Sequence, residues 1–381
     1  MRVYFDNAST TPLLPEVKEV MKDVIDNHYG NPSSIHLFGR QSKTIIEDAR
    51  KQIAERINAS TGEVFFTSGA TEANNMSLFG SVRDLGVQRI ISSPTEHHCI
   101  LHTLDVISDQ DGVEVVYLTV DKNGSINLEE LAEVLQEGNK KTLVSLMQAN
   151  NEIGTLHPIE LIAQLCQSHN ALFHCDMAQS IGKYPLDLNT TPIAFLSGSA
   201  HKFYGPKGVG FVYVNNDNII KPMFHGGDQE RGMRSGTENI YGIAGMAKAY
   251  SMAYDEMEER HNYVSRLKKH FKTRLINELY DIQFNGDEEH QLYNVLSVSF
   301  PPSEKAPLIM MNLDIAGISA SAGSACSSGV ESDSHVLSAI GHDSTRKTVR
   351  FSLSHLNTLE EIDFVMQKLK KITPVPQDVE S

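Results

Sequence analysis

Lys202 sits in a loop of small residues, Ser197-Gly-Ser-Ala-His-Lys-Phe-Tyr-Gly-Pro-Lys-Gly-Val-Gly210. Asp176 closes an apolar run 26 positions earlier, in His174-Cys-Asp-Met-Ala-Gln179. Such a lysine and carboxylate suit an enzyme that uses pyridoxal phosphate. The lysine holds the cofactor as a Schiff base, and the carboxylate keeps the pyridine nitrogen protonated so that the ring can draw off electrons. A third residue offers a nucleophile. Cys326 stands in Ser319-Ala-Ser-Ala-Gly-Ser-Ala-Cys-Ser-Ser-Gly329, with almost no side-chain bulk around it. A cysteine that attacks must reach its thiolate form, and one that carries a group must move. A loop of Ala, Gly and Ser suits that motion. The alternative for Cys326 is a buried structural thiol in a tight turn.

A phosphate-bearing cofactor also needs an anion site. Phe65-Phe-Thr-Ser-Gly-Ala-Thr-Glu-Ala-Asn-Asn75 reads as strand, glycine turn and helix start. The free N–H groups and positive dipole of a helix N-terminus bind phosphate, so Ala70 would donate by its backbone and Thr71 by its hydroxyl. A plain helix cap by Ser68 or Thr71 explains the same residues equally well. Ser199 and His201 flank Lys202 and could complete a phosphate cup. His97, in Ser93-Pro-Thr-Glu-His97, follows a predicted strand and could stack on the pyridine face. Neither GxGxxG nor GxxxxGK[ST] occurs, which weakens dinucleotide and P-loop alternatives.

The elements that must position these residues are legible in the pattern. Predicted strands are Val64–Thr67, Arg89–Ser92, Val113–Tyr117, Thr142–Leu146, Leu172–Cys175 and Gly210–Val214, with helical patterns between most of them, for example Asn127–Gln136 and Pro158–Ser168. The alternation predicts an α/β fold with a mainly parallel sheet. A long helical run from Thr237 to Leu279 carries the chain out of this large domain. The remainder mixes strands (Asn294–Phe300, Thr348–Ser352) with helices, as in a smaller α+β domain. The expected division is 15–255 for the large domain and 1–14 with 256–375 for the small one, leaving 376–381 as a frayed tail.

Composition narrows the function classes. The 381 residues suffice for two domains, and 40% hydrophobic with 21% charged content reads as globular. A formal charge of −15 argues against nucleic acid, and Lys368, Lys370 and Lys371 read as a solvated helix end. No apolar run is long enough for a membrane span, and the N-terminus shows no signal-peptide segment, so the expected location is the cytoplasm. Cys99, Cys166, Cys175 and Cys326 fit neither a disulfide framework nor a zinc motif. Cys166 and Cys175 read as buried small hydrophobes. His97, His98, Cys99 and His102 are too close in sequence to converge on one metal ion from a single strand or loop, so no metal site is expected there.

The motifs, taken together, resemble the fold-type I pyridoxal-phosphate enzymes of the class V aminotransferase superfamily, most closely the cysteine desulfurases that feed iron–sulfur cluster assembly. The matching stretches include Phe5-Asp-Asn-Ala-Ser-Thr-Thr-Pro12, Gly30-Asn-Pro-Ser33, Phe66-Thr-Ser-Gly-Ala-Thr-Glu72, Thr95-Glu-His97, Asn150-Asn-Glu-Ile-Gly154 and Asp176-Met-Ala-Gln-Ser180. They continue with His201-Lys-Phe-Tyr-Gly-Pro-Lys-Gly208, Gly232-Met-Arg-Ser-Gly-Thr237, Gly323-Ser-Ala-Cys326 and Val349-Arg-Phe-Ser352. The resemblance implies a large domain with a seven-stranded type of sheet. It implies Lys202 as the Schiff-base lysine, Asp176 as partner of the pyridinium nitrogen and Gln179 as partner of the ring hydroxyl. His97 would stack on the ring and assist proton transfer. Ala70, Thr71, Ser199 and His201 would hold the phosphate, and Thr237 would reach the phosphate of a neighbouring subunit in a homodimer. Asn151 and Arg350 would bind the substrate carboxylate, for which the planar guanidinium fork is suited.

The implied reaction converts L-cysteine to L-alanine. Cys326 takes the sulfur as a persulfide and passes it to an acceptor, a scaffold protein or a thiolation enzyme. No resident metal is expected; a transient iron–sulfur contact at Cys326 is the one exception. The chain departs from the family after Cys326, where Ser-Ser-Gly-Val-Glu-Ser-Asp-Ser-His stands in place of a Leu-Glu-Pro-Ser type of stretch, and at Asp228, where a third glycine is common. It ends soon after its last helical pattern, so docking of a scaffold protein there is not expected. A selenocysteine lyase, a cysteine sulfinate desulfinase and a class V aminotransferase stay open as alternatives. An aminotransferase would have no need of Cys326, and a sulfur-delivery protein without catalysis would have no need of Lys202 and Asp176.

Overall fold

The computed structural model describes residues 1–322 and 334–373. Strand β1 (Val3–Tyr4) and helices α1 (Pro15–Asn27) and α2 (Leu37–Arg56) precede the alternating part of the chain. There follow β2 (Val64–Thr67), α3 (Ala70–Arg83), β3 (Arg89–Ser92), α4 (His98–Asp111), β4 (Glu114–Tyr117), α5 (Leu128–Gln136), β5 (Thr142–Met147), α6 (Ile159–Ser168), β6 (Leu172–Asp176), β7 (Phe195–Ser199) and β8 (Gly210–Val214). Local sequence accounts for these elements. In α6, Ile159, Ile162, Ala163 and Cys166 recur at helical spacing and form its buried face. In β5, all six residues of Thr-Leu-Val-Ser-Leu-Met are buried, as in a strand covered on both faces.

Strands β2 to β8 form one seven-stranded sheet in the order β2-β8-β7-β6-β5-β3-β4. The β7, β6, β5, β3 and β4 neighbours pair in parallel, whereas β8 runs antiparallel to both β2 and β7. Ligands of such sheets sit beyond the carboxyl ends of the parallel strands. Here the residues just past those ends are Gly69 after β2, His97 after β3, Asn151 after β5, Asp176 ending β6 and Lys202 after β7.

The rest of the chain comprises α7 (Ile240–Asp255), α8 (Met257–Glu278), β9 (Gln283–Asn285), β10 (Val295–Phe300), α9 (Ile309–Ile315), β11 (Ile318–Ser319), α10 (His335–Ala339), β12 (Lys347–Ser352) and α11 (Leu359–Ile372). A three-stranded antiparallel sheet, β12-β10-β9, forms here, and β1 pairs in parallel with β11. Val3 and Phe5 enter a hydrophobic core with Phe271, Phe351 and Val365, separate from the clusters on the two faces of the large sheet.

Beyond the short strands β1, β9 and β11, which the sequence pattern does not predict, two features differ from the sequence expectation for a packing reason. Strand β7 was not foreseen, because Phe-Leu-Ser-Gly-Ser lacks a continuous apolar run. It is nevertheless fully buried between β6 and β8. Its glycine has a packing reason: a Cβ on Gly198 would stand 2.6 Å from the Phe211 ring. The run expected as one helical stretch from Thr237 begins at Ile240 and breaks at Glu256. Met246, Ala249 and Tyr250 of α7 pack into the core of the large sheet, whereas Val264, Phe271 and Leu275 of α8 pack into the other core. The break lies where the chain changes cores.

Candidate active site

A cavity of about 560 Å3 opens at the carboxyl edge of the sheet. Ala70, Thr71, His97, Asn151, Asp176, Gln179, Ser199, His201, Lys202 and Arg350 all line it. Thr237 does not; its side chain is exposed. Cys326 lies outside the described residues.

Lys202 is delivered by a short helical turn directly after β7. Its Nζ donates to the carbonyls of Ala8 at 2.7 Å and Ser9 at 3.0 Å. The N-terminal segment, whose Val3 and Phe5 belong to the smaller core, thus closes over the site of the large sheet. Gln179 is held the same way, its Nε2 donating to Ala8 O at 2.8 Å. Its Oε1 is buried without a partner among the described residues. A buried orphan acceptor is costly, and a ligand hydroxyl in the cavity would satisfy it. Behind them Lys183 is buried, with Nζ donating to Gln179 O at 2.6 Å. Burial, and then the charge of Lys202, draw the Lys183 pKa down to about 7.

Three donors converge on the Asp176 carboxylate: Asn74 Nδ2 at 2.8 Å, the Ala178 N–H at 2.9 Å and Ser197 Oγ at 3.4 Å. Together they fix its orientation at the floor of the cavity.

The opposite end suits an anion. Gly69 precedes α3 at φ 156° and ψ −179°, a conformation that side-chain-bearing residues rarely adopt. No side chain caps α3, so the cap by Ser68 or Thr71 that the sequence allowed is not formed. Glu72 instead accepts the Ser68 N–H at 2.8 Å and pairs with Arg234 at 2.9 Å. The first turn of α3 therefore keeps uncapped N–H groups at the cavity wall, the arrangement that binds phosphate. Ser199 and His201 border the same end. Burial, followed by the nearby charge of Lys202, holds the His201 pKa down to about 4, so this imidazole is neutral.

Arg350 arrives from β12 of the smaller sheet and is 1% exposed. Its Nη1 donates to Asn151 O at 2.8 Å, and its Nη2 donates to Asp6 Oδ1 at 2.9 Å. A guanidinium at the cavity wall can meet a ligand carboxylate. Its Nε is buried and has no partner among the described residues.

Several polar residues of the site escaped the sequence reading. Asn74 and His174 are fully buried behind Asp176. His174 did carry a signal, as the one polar residue in Leu172-Phe-His-Cys. Glu152 and His335 also line the cavity. Glu152 accepts from Ser334 Oγ at 2.5 Å, and burial pushes its carboxyl pKa up. No group of His, Cys, Asp and Glu among the described residues is arranged to hold a metal ion.

A mixed sheet with a lysine, a carboxylate and an open helix N-terminus around one cavity is the architecture of a vitamin B6-type transferase. The chain belongs to the class-V aminotransferase family, whose model matches residues 3–365. Its relatives include the cysteine desulfurase IscS of Dictyoglomus turgidum, 39% identical over 387 residues, covering 99% of this chain and 97% of that protein. The putative cysteine desulfurase IscS 1 of Bacillus subtilis is 41% identical over 367 residues, covering 95% and 96%. A solved NifS-like protein superimposes with a TM-score of 0.90 at 38% identity, over 98% of this chain and 99% of that one.

Proposed function

We propose that the chain is a pyridoxal-phosphate-dependent cysteine desulfurase that takes sulfur from L-cysteine onto Cys326. L-cysteine and the enzyme thiol become L-alanine and an enzyme persulfide: the substrate C–S bond breaks, an S–S bond forms, the cysteine sulfurs are oxidised and the substrate β-carbon is reduced. One observation carries the reading. Lys202, Asp176 and Arg350 meet around a single cavity in a chain similar along its length to cysteine desulfurases.

When bound, pyridoxal phosphate supplies an electron sink through its protonated ring. Lys202 Nζ holds the cofactor and afterwards moves the proton of the substrate α-carbon. Asp176 holds the proton on the ring nitrogen, and Gln179 Oε1 accepts from the ring hydroxyl. The N–H of Ala70, the hydroxyls of Thr71 and Ser199, and His201 hold the phosphate. His97 covers the ring and excludes water. Arg350 and Asn151 orient the substrate carboxylate. Cys326 receives the sulfur and passes it to an acceptor protein for cluster assembly or thiolation.

The enzyme is a homodimer in this reading, and Thr237, which is exposed and does not line the cavity of its own chain, serves the phosphate of the second subunit. The two separate cores support a division into residues 15–255 and residues 1–14 with 256–375. No helix among the described residues is long and apolar enough to cross a membrane, and the proposed location is the cytoplasm.

The test uses two variants with L-cysteine under anaerobic conditions. Lys202→Ala should lose both the visible absorbance of the bound cofactor and alanine formation. Cys326→Ala should keep the absorbance and lose persulfide. Undiminished sulfide release by Cys326→Ala would refute the role of this thiol.

A further inference from the structure

Cys99 lies in the cavity wall at the start of α4, beside the ring proposed to cover the cofactor. His97 is the N-cap of that helix, and its Nδ1 accepts the Cys99 backbone N–H at 3.1 Å. That bond settles the ring's protonation pattern, because a nitrogen that accepts from an amide carries no proton of its own. The Cys99 Sγ is 3.0 Å from the same Nδ1. With Nδ1 already an acceptor, the thiol must be the donor. Asn74 Nδ2 in turn donates to Cys99 Sγ at 3.3 Å and to Asp176 Oδ2 at 2.8 Å.

The amide of Asn74 is itself fixed. Its Oδ1 is 3.1 Å from His174 Nε2, and His174 Nδ1 is 2.9 Å from Ser145 Oγ. Asn74 Oδ1 can only accept, so His174 carries its proton on Nε2 and takes the serine proton on Nδ1. Ser145, His174 and Asn74 are each fully buried, so water does not scramble these roles. One chain of defined donors therefore runs from Ser145 to the Asp176 carboxylate and, through Cys99, to His97.

We infer that Cys99 is a positioning residue: its backbone N–H holds His97 as the Nε2–H tautomer and its thiol, donating to the same Nδ1, opposes a second proton there, so that Nε2 is the ring nitrogen that carries a proton toward the bound substrate. The inference rests on the proposed placement of His97 over the cofactor. His97 Nε2 has no hydrogen-bond partner among the described residues, which leaves it to a cavity ligand. A second proton would have to enter at Nδ1, against two donors aimed at that atom. The charged and titratable groups facing the ring are Asp176, which favours the cation, and Lys202, His335, His102 and the neighbouring His98, which oppose it. Burial opposes it most strongly and lowers the His97 pKa.

The test is imidazole 15N NMR of the cofactor-loaded enzyme, with His97 assigned by loss of its signal in His97→Asn. The wild type should show protonated Nε2 and bare Nδ1. Cys99→Ala removes one donor to Nδ1, so the His97 titration should move up by about 0.5–1 pH unit, the scale of one neutral hydrogen bond. Cys99→Ser retains an O–H donor and should return the titration toward wild type. A protonated Nδ1 in the wild type, or an unmoved titration in Cys99→Ala, would overturn the inference. The cofactor absorbance of the same samples reports separately whether the cofactor site is formed, so a wrong cofactor assignment and a wrong tautomer give different results.

Discussion

Lys202 and Asp176 stand out in the sequence because their types are chemically rare in those settings, and both line the cavity. Their supports do not stand out. The carbonyls of Ala8 and Ser9 that hold Lys202 lie more than 190 positions away in the chain. No local pattern announces such a contact. Asn74 is hidden for a related reason: it looks like one polar residue among many on a helix, yet it is fully buried against Asp176. Asn74→Ala should leave the carboxylate one donor short. A loss of about 1–2 kcal/mol at that contact corresponds to roughly 5–30-fold weaker cofactor retention, measurable by dialysis against cofactor-free buffer. Arg350→Lys tests the substrate end. Lysine keeps the charge but loses the planar fork. The KM for L-cysteine should rise by about 10-fold or more, with the cofactor absorbance unchanged.

The elements explain why the anion end is preformed. Strand β8 runs against β2 and β7, which brings Gly210 onto both the strand before Lys202 and the turn before α3. A Cβ on Gly210 would stand 2.4 Å from Gly198 O and 2.7 Å from Gly69 Cα, both backbone atoms. Gly210→Ala should therefore displace the phosphate turn, costing about 1–3 kcal/mol of stability and weakening phosphate binding, seen by thermal melts with and without added cofactor. A buried ion pair anchors the segment leading to Thr237. Arg50 Nη1 and Nη2 meet Glu230 at 2.8 and 2.9 Å, and Glu230 also accepts the Phe66 N–H at 2.7 Å. Glu230→Ala leaves the buried guanidinium with only the more exposed Glu47 carboxylate at 3.4 Å and should cost about 3 kcal/mol in urea melts. The alternating strands and helices were legible from their apolar periods. Strand β7 was not, since its small and polar residues are chosen for close packing between β6 and β8. The break at Glu256 was not legible either, since both flanking helices read as helix and only the change of core separates them.

At the scale of the whole molecule, the buried titratable groups set how stability depends on pH. His174, His201 and His355 have pKa values held down to about 4 in the folded chain, mainly by burial. The unfolded chain binds the extra protons between that value and about 6.5, so stability rises with pH across this window. Lys183 and Lys268 have pKa values drawn down to about 7, again mainly by burial. The unfolded lysines stay protonated to about pH 10, so stability should rise a second time between pH 7 and 9. Above that, the unfolded thiols of Cys99 and Cys166 ionise while the folded ones, pushed up to about 12 by burial, do not; this offsets the lysine contribution and turns stability downward once the unfolded lysines deprotonate above about pH 10. Thermal midpoints of the cofactor-free protein should climb from pH 7 to pH 9, and the double variant Lys183→Met, Lys268→Met should flatten that climb.

The central claim is that this cavity strips sulfur from L-cysteine and that Cys326 receives it. Its most direct test is a single anaerobic exposure of the cofactor-loaded enzyme to L-cysteine, followed by alanine quantification and peptide mass spectrometry. The expected result is alanine in stoichiometric yield with one added sulfur on the peptide that contains Cys326. Cofactor absorbance without alanine and without added sulfur, or amino transfer to a keto acid in their place, would contradict it.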